Sequence, residues 1–141
     1  MVYEIESYVG TEGILFGMLK EEIRDTIGSD FKEFKKANFA LSHTDAFTGL
    51  GLHVHYDNEG KCEAIEFAYP SDVRFNGIKL LGNSFELVLN EIRKTDSNIE
   101  IDESGFISYK HGIGIYVPTL KDVRHQEIQG VIIFRRGYYD S

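Results

Sequence analysis

Two histidines, a cysteine and several carboxylates crowd into one short stretch, HVHYDNEGKCEAIE, running from His53 to Glu66. Histidines at i and i+2 on a strand share one face about 7 Å apart, a spacing suited to a metal ion. His53, His55 and Glu59 repeat part of a known metal-binding spacing, His-x-His-x-x-x-Glu. The remaining parts are missing, because no later histidine follows on a suitable strand and Glu59 falls in a turn. No metal and no cofactor are therefore assigned. Cys62 is the single cysteine. As a nucleophile it would need a lowered thiol pKa, an orienting base and oxyanion donors, and a hairpin tip supplies none of these. No phosphate loop, nucleophile elbow or Ser/His/Asp signature is present, so no catalytic residue is assigned and the chain is expected not to be an enzyme.

What these residues can do without a reaction is bind. Asp57, Glu59, Glu63 and Glu66 gather around one hairpin, and NIEIDES brings Glu100, Asp102 and Glu103 beside a turn. Runs of this kind serve as solvated faces or as a negative docking surface. The formal net charge of −8 repels phosphate backbones and favours a basic protein partner over nucleic acid. The C-terminal FRRGYYDS adds Tyr138 and Tyr139 after two arginines, residue types enriched at binding hot spots. No stretch is apolar enough to span a bilayer, and the acidic start MVYEIESYVG lacks the pattern of a secretory signal. The expectation is a cytoplasmic protein with no membrane partner. A lone cysteine agrees with a reducing compartment.

The elements that must position these residues are written twice. GLGLHV (Gly49 to Val54) and GIGIYV (Gly112 to Val117) share a glycine-spaced apolar phrase. ILFGMLKEEI falls beside KLLGNSFELV, with Gly17 on Gly82, and EAIEF falls beside GVIIF, with Ile65 on Ile132 and Phe67 on Phe134. The offsets are 65, 63 and 67, and the order is preserved. One domain over residues 1–141 is expected, with internal repeats at about 10–70 and 75–139.

Each repeat reads as a helix followed by strands. Leu19, Ile23 and Ile27 form a stripe ended by Gly28; Phe85, Val88, Leu89 and Ile92 form a second, with Asn83 and Glu86 spaced as a capping box. Strands are expected over Asn38–Ser42, Thr48–Tyr56 and Lys61–Tyr69, then over Gly105–Tyr109, Gly112–Val117 and Gln129–Arg136. VYEIESYV is either a further strand or an extension of the first helix. Pairing Tyr56 with Lys61 sets Leu52 against Ile65 and Cys62 across from His55. In the second repeat, Ile115 is expected to face Ile132. Leu50, Leu52, Val54 and Tyr56 then lie under the helices, while Gly49, Gly51, His53 and His55 share the other face with Gly112, Gly114 and Tyr116. The glycine strip on that face is either crossed by an aromatic side chain from a neighbouring strand or left as a shallow trough for a partner.

This layout, with FNGIKLLGNSFELVLNEI leading into GIGIYVP and VIIFRRGYYD, resembles small bacterial proteins of the beta-lactamase-inhibitor-protein architecture and immunity proteins of polymorphic or contact-dependent toxin systems. The resemblance implies an α+β fold: a tandem duplication of helix plus antiparallel β-meander, forming one twisted antiparallel sheet with helices on one face and the other face free to grip a protein. The expected function is a protein-binding inhibitor, an immunity protein that occludes a basic toxin domain, as a monomer or weak homodimer. The expected contact residues are His53, His55 and Tyr116, with Asp57, Glu59 and Glu66 nearby and Tyr139 at the end. The competing expectation is a metal- or small-ligand-binding protein or enzyme using the His53/His55 face.

Overall fold

Apolar periodicity decides the two helices of the computed structural model, which describes residues 1–35 and 43–139. Helix α1 (Lys20–Ile27) buries Ile23 and stops at Gly28, whose φ of 63° lets its N–H reach the Arg24 carbonyl. Helix α2 (Phe85–Arg93) buries Phe85, Val88, Leu89 and Ile92. Its cap is Ser84 rather than Asn83: the Ser84 hydroxyl accepts the Leu87 N–H at 3.3 Å, while the Asn83 side chain accepts the Ser84 N–H at 2.7 Å. Leu19, expected on the stripe of α1, is its half-exposed N-cap residue.

Before α1 come β1 (Val2–Glu4), β2 (Gly10–Thr11) and β3 (Ile14–Leu15); after it come β4 (Lys32–Lys35), β5 (His43–Phe47), β6 (Leu52–Tyr56) and β7 (Cys62–Phe67). Before α2 come β8 (Asp72–Phe75) and β9 (Ile78–Lys79); after it come β10 (Glu100–Asp102), β11 (Gly105–Ser108), β12 (Ile113–Tyr116) and β13 (Gly130–Phe134). The expected strand Asn38–Ser42 lies outside the described residues. The N-terminal segment resolves as strand β1, paired in parallel with β8. Among the described residues no helix is long and apolar enough to cross a membrane.

The strands after each helix form one antiparallel sheet in the order β10-β11-β12-β13-β7-β6-β5-β4, so the halves meet where β13 pairs with β7. Two smaller sheets, β1-β8-β9 and β2-β3, accompany it where a single sheet was expected. One face of the large sheet carries Phe106, Ile115, Val131, Phe67, Leu52 and Phe47 in a single cross-strand row. All six are buried. Against this face lie both helices and the small sheet, shown by Phe85 on Phe106 (ring centroids 5.8 Å), Tyr3 on Phe67 (5.6 Å) and the Arg24 guanidinium on Asp45 (2.7 Å).

The register differs from expectation in both hairpins, for different reasons. In the first, the Asp57 N–H bonds to the Lys61 carbonyl at 2.8 Å, and the Asp57 carboxylate accepts the Glu59 and Lys61 amides, so the turn sits one residue later than expected. A bulge between His55 and Tyr56 adds a second residue, giving Leu52 opposite Phe67 and Val54 opposite Ile65. Two displacements of one residue restore the faces. Cys62 therefore opposes Tyr56 inside the core, and not His55. In the second hairpin the slip is a single residue: Ile115 opposes Val131 and Ile113 opposes Ile133, so Ile132 and Phe134 point to the outer face. Ile65 and Phe67 thus face the core, whereas Ile132 and Phe134, set beside them in the sequence, face outward.

The glycine phrase is corrected as well. Thr48–Leu50 is a 3-10 turn, and the strand begins only at Leu52. Gly51 and Gly112 sit at φ 71° and 69° in the turns that open β6 and β12. A Cβ at Gly51 would lie 2.1 Å from the Ala68 carbonyl oxygen, whereas one at Gly49 meets nothing within 4 Å.

Asp45 is a carboxylate with no exposed surface on the core side of β5. The Arg24 guanidinium donates to both of its oxygens at 2.7 Å, and the Tyr56 hydroxyl donates to Oδ2 at 2.9 Å. Glu33 in β4 accepts from His43 (2.8 Å), Arg24 (3.0 Å) and Lys20 (3.3 Å); these bonds, that from His43 foremost, hold its carboxyl at about 2. Removing one member of a buried pair strands the other charge. Arg24→Leu is expected to destabilise the fold by about 3–5 kcal/mol, and the double variant R24L/D45L to be markedly more stable than R24L alone, as read from urea unfolding midpoints. In the same assay Gly51→Ala should cost about 3 kcal/mol through forced left-handed backbone and carbonyl overlap, and Gly49→Ala less than about 0.5 kcal/mol.

Candidate functional site

The outer face of the large sheet holds the residues singled out from the sequence. Following the register across all eight strands, one row reads Glu100, Ile107, Gly114, Ile132, Glu66, His53, Ala46 and Lys32. A second row runs Asp102, Gly105, Tyr116 and Gly130, and a third runs Phe134, Ala64, His55, Thr44 and Phe34. Alternation along each strand separates these side chains from the core row. The floor is built from glycine and alanine, the rim from larger polar and aromatic groups.

His53, His55, Glu66 and Tyr116 come together in the middle of this face. His55 is pinned: Nδ1 lies 2.8 Å from the Thr44 hydroxyl oxygen and Nε2 lies 2.6 Å from Glu66 Oε1. A metal at His55 would have to displace one of these oxygens. Among the described residues no group of three or more His, Cys, Asp or Glu side chains is placed to hold a metal ion. His53 is exposed beside Glu66 and lines a cleft of about 310 Å³ with Tyr116 and Tyr69. Tyr116, 52% exposed, lies across Gly130: a Cβ placed there would meet the Tyr116 Cβ at 3.3 Å. Ile132 covers Gly114 in the same manner, with its Cγ2 at 2.7 Å from such a Cβ. Of the glycine strip expected from the sequence, Gly114 alone lies in a strand, and an isoleucine rather than an aromatic side chain crosses it; clefts lie on either side of Tyr116.

Asp57 and Glu59 lie away from this centre. Asp57 organises its own turn and accepts from Arg135 at 3.2 Å, which ties the hairpin to the segment after β13. Glu59 projects from the loop and pairs with Lys61 at 3.3 Å. Tyr139 belongs to an aromatic cluster over Phe134, with ring centroids 4.9 Å apart, joined by Tyr138 and Tyr109. Tyr8 packs edge-on against Phe134 under the Arg136 guanidinium, and its hydroxyl donates to the Tyr109 carbonyl. Burial pushes the Tyr138 hydroxyl up to about 12. The cluster roofs the Phe134 end of the outer face, which leaves the two rows through Glu66 and Tyr116 accessible.

Three contributors to this face escaped the sequence reading. Tyr69 stands 91% exposed at the rim, held by the turn into Pro70; a tyrosine just before a proline at a strand end was the available signal. Ile132 and Ile107 line the second cleft, but in runs as uniformly apolar as GVIIF the outward positions cannot be told from the inward ones. Cys62 is fully buried, and desolvation pushes its thiol up to about 12. Its thiol is expected to resist Ellman's reagent at pH 8 in the native protein and to react stoichiometrically in denaturant. Rapid native reaction would show that β7 opens at the Cys62 end.

No protein family, curated protein or solved structure matches the chain.

Proposed function

We propose that the chain is a protein-binding inhibitor, a cytoplasmic immunity protein that neutralises a cognate bacterial toxin by covering its surface with the outer face of the large sheet. The observation that carries this reading is the contrast between the two faces. One is sealed by both helices and the β1-β8-β9 sheet; the other keeps Tyr116, His53, Glu66 and Tyr69 exposed over a floor of small residues. Occlusion requires complementarity and a few anchors rather than an activated group. The one thiol of the chain lies buried with its pKa raised, which favours binding over nucleophilic chemistry. The net charge of −8 suits a basic toxin domain and would speed its capture.

The same reading takes the chain as a tandem duplication. Its support is a set of matched backbone bonds where each helix begins. The Gly17 N–H bonds to the Cys62 carbonyl, the Cys62 N–H to Met18, and the Lys20 N–H to Gly60; in the second half Gly82 bonds to Ile128, Ile128 to Asn83, and Phe85 to Gln126. Corresponding residues are 65 or 66 positions apart. On these offsets Arg24 corresponds to Leu89, and the turn glycines Gly51 and Gly112 bring Asp45 into correspondence with Phe106. An ion pair in one half thus stands where the other has an apolar pair. Divergence of this kind after duplication accounts for the weak sequence match between the halves.

The test is growth rescue. Co-expressed with the toxic domain of the secreted protein encoded beside its own reading frame, the chain is expected to restore growth and to co-purify as a complex. Tyr116→Ala and Glu66→Lys should each weaken the complex by about a hundredfold without altering the circular dichroism spectrum. Absence of any complex, or a complex weakened instead by changes at exposed helix positions such as Glu21 or Glu86, would overturn the reading.

A further inference from the structure

The cleft on the β10 side of Tyr116 has a definite chemical character. It measures about 310 Å³ and is bordered by Glu66, Asp102, Ile107, Gly114, Tyr116 and Ile132. Gly114 and Gly130 lie at its base, crossed by Ile132 and Tyr116; the two isoleucines supply apolar walls, and the Tyr116 ring flanks it. No lysine or arginine lines it among the described residues. Its two carboxylates come from strands β7 and β10, with β11, β12 and β13 between them, so they stand at opposite sides of the cleft rather than as one acidic cluster. Each is held in place: Glu66 by His55 at 2.6 Å, and Asp102 by the Ser104 amide and hydroxyl at 2.8 and 3.2 Å.

We propose that this cleft receives an arginine side chain of the protein partner. The inference rests on the outer face being the docking surface, and it names the chemistry of the anchor. The arginine methylenes would lie along Ile107 and Ile132, and the guanidinium would meet the Tyr116 ring in the field of Glu66 and Asp102 from the two sides of the cleft. Arginine fits better than lysine on physical grounds. Its planar, weakly hydrated head stacks on an aromatic ring and donates to carboxylates in more than one direction, whereas an ammonium is a compact and strongly hydrated charge. Carboxylates already fixed by their neighbours lose little freedom when the cation arrives. The negative charge of the whole chain adds attraction of the same sign at longer range.

The experiment uses the full chain, uniformly ¹⁵N-labelled, titrated with the blocked tripeptide acetyl-Ala-Arg-Ala-amide and with the same peptide carrying citrulline, which keeps the shape and removes the charge. The arginine peptide is expected to shift the Gly114 and Gly130 amide signals saturably at millimolar concentration, with the citrulline peptide at least tenfold weaker. Asp102→Asn and Tyr116→Leu, both at exposed positions, should each weaken the arginine peptide about fivefold. Equal binding of the citrulline peptide, unsaturable shifts, or unchanged affinity in the two variants overturns the arginine anchor. The two readings separate cleanly. If the arginine peptide fails while outer-face variants still abolish growth rescue, the docking surface stands and the anchor is wrong; if no outer-face variant affects rescue, the docking surface itself is lost.

Discussion

The pairing of β13 with β7 is the constraint on which the rest of the molecule depends. These are the last strands of the two halves, and their antiparallel ladder sets Val131 against Phe67, Ile132 against Glu66 and Ile133 against Ile65. Because side chains alternate along a strand, that single register decides which residues of both halves share a face. A shift of one residue would send Glu66 into the core and expose Phe67. With the register as it stands, two separate meanders become one sheet with one continuous apolar side, and the outer row through Glu66 runs unbroken from β10 to β4.

Buried carboxylates lie at two places among the described residues. Asp96 accepts from the Ser108 hydroxyl at 2.7 Å, and Asp45 is satisfied by Arg24 and Tyr56, with Glu33 extending that network to the edge strand. Such a pair contributes little net stability compared with well-packed apolar side chains, since desolvation offsets most of the attraction. Its effect is geometric. Two bonds from one guanidinium fix the rotation of α1 against β5, which a smooth apolar contact would leave freer. Helix α2 meets the same face of the sheet through an apolar contact instead, Phe85 on Phe106.

How much of this was legible follows from the same physics. The helix stripes were readable because Ile23, Phe85, Val88, Leu89 and Ile92 recur at helical spacing and all five are buried. The core side of β6 was readable because Leu52, Val54 and Tyr56 alternate with histidines. Strand β5 was not, because Asp45 occupies a core position and its partner lies 21 residues away, beyond any local pattern. The register of β13 was hidden by a run in which inward and outward positions are equally apolar, so only the packing partner decides between them. The glycine phrase misled about the strands: what the fold needs is positive φ at Gly51 and Gly112, in the turns before β6 and β12, rather than glycine spacing along a strand. Of the chosen contact residues, His53, His55, Glu66 and Tyr116 converge, because strand alternation alone places them. Asp57, Glu59 and Tyr139 stand apart, because turn geometry and the folding back of the tail govern them.

The outer row through Glu66 begins at Glu100 on one edge strand and ends at Lys32 on the other. Opposite charges at the two margins of a flat surface give it an electric dipole lying across the strands. A protein partner of the kind proposed, approaching with its own uneven charge, would feel a torque before any contact and turn to a preferred azimuth while water still separated the two. On that proposal the margins of the sheet would act as a compass, selecting the orientation of arrival rather than holding what arrives.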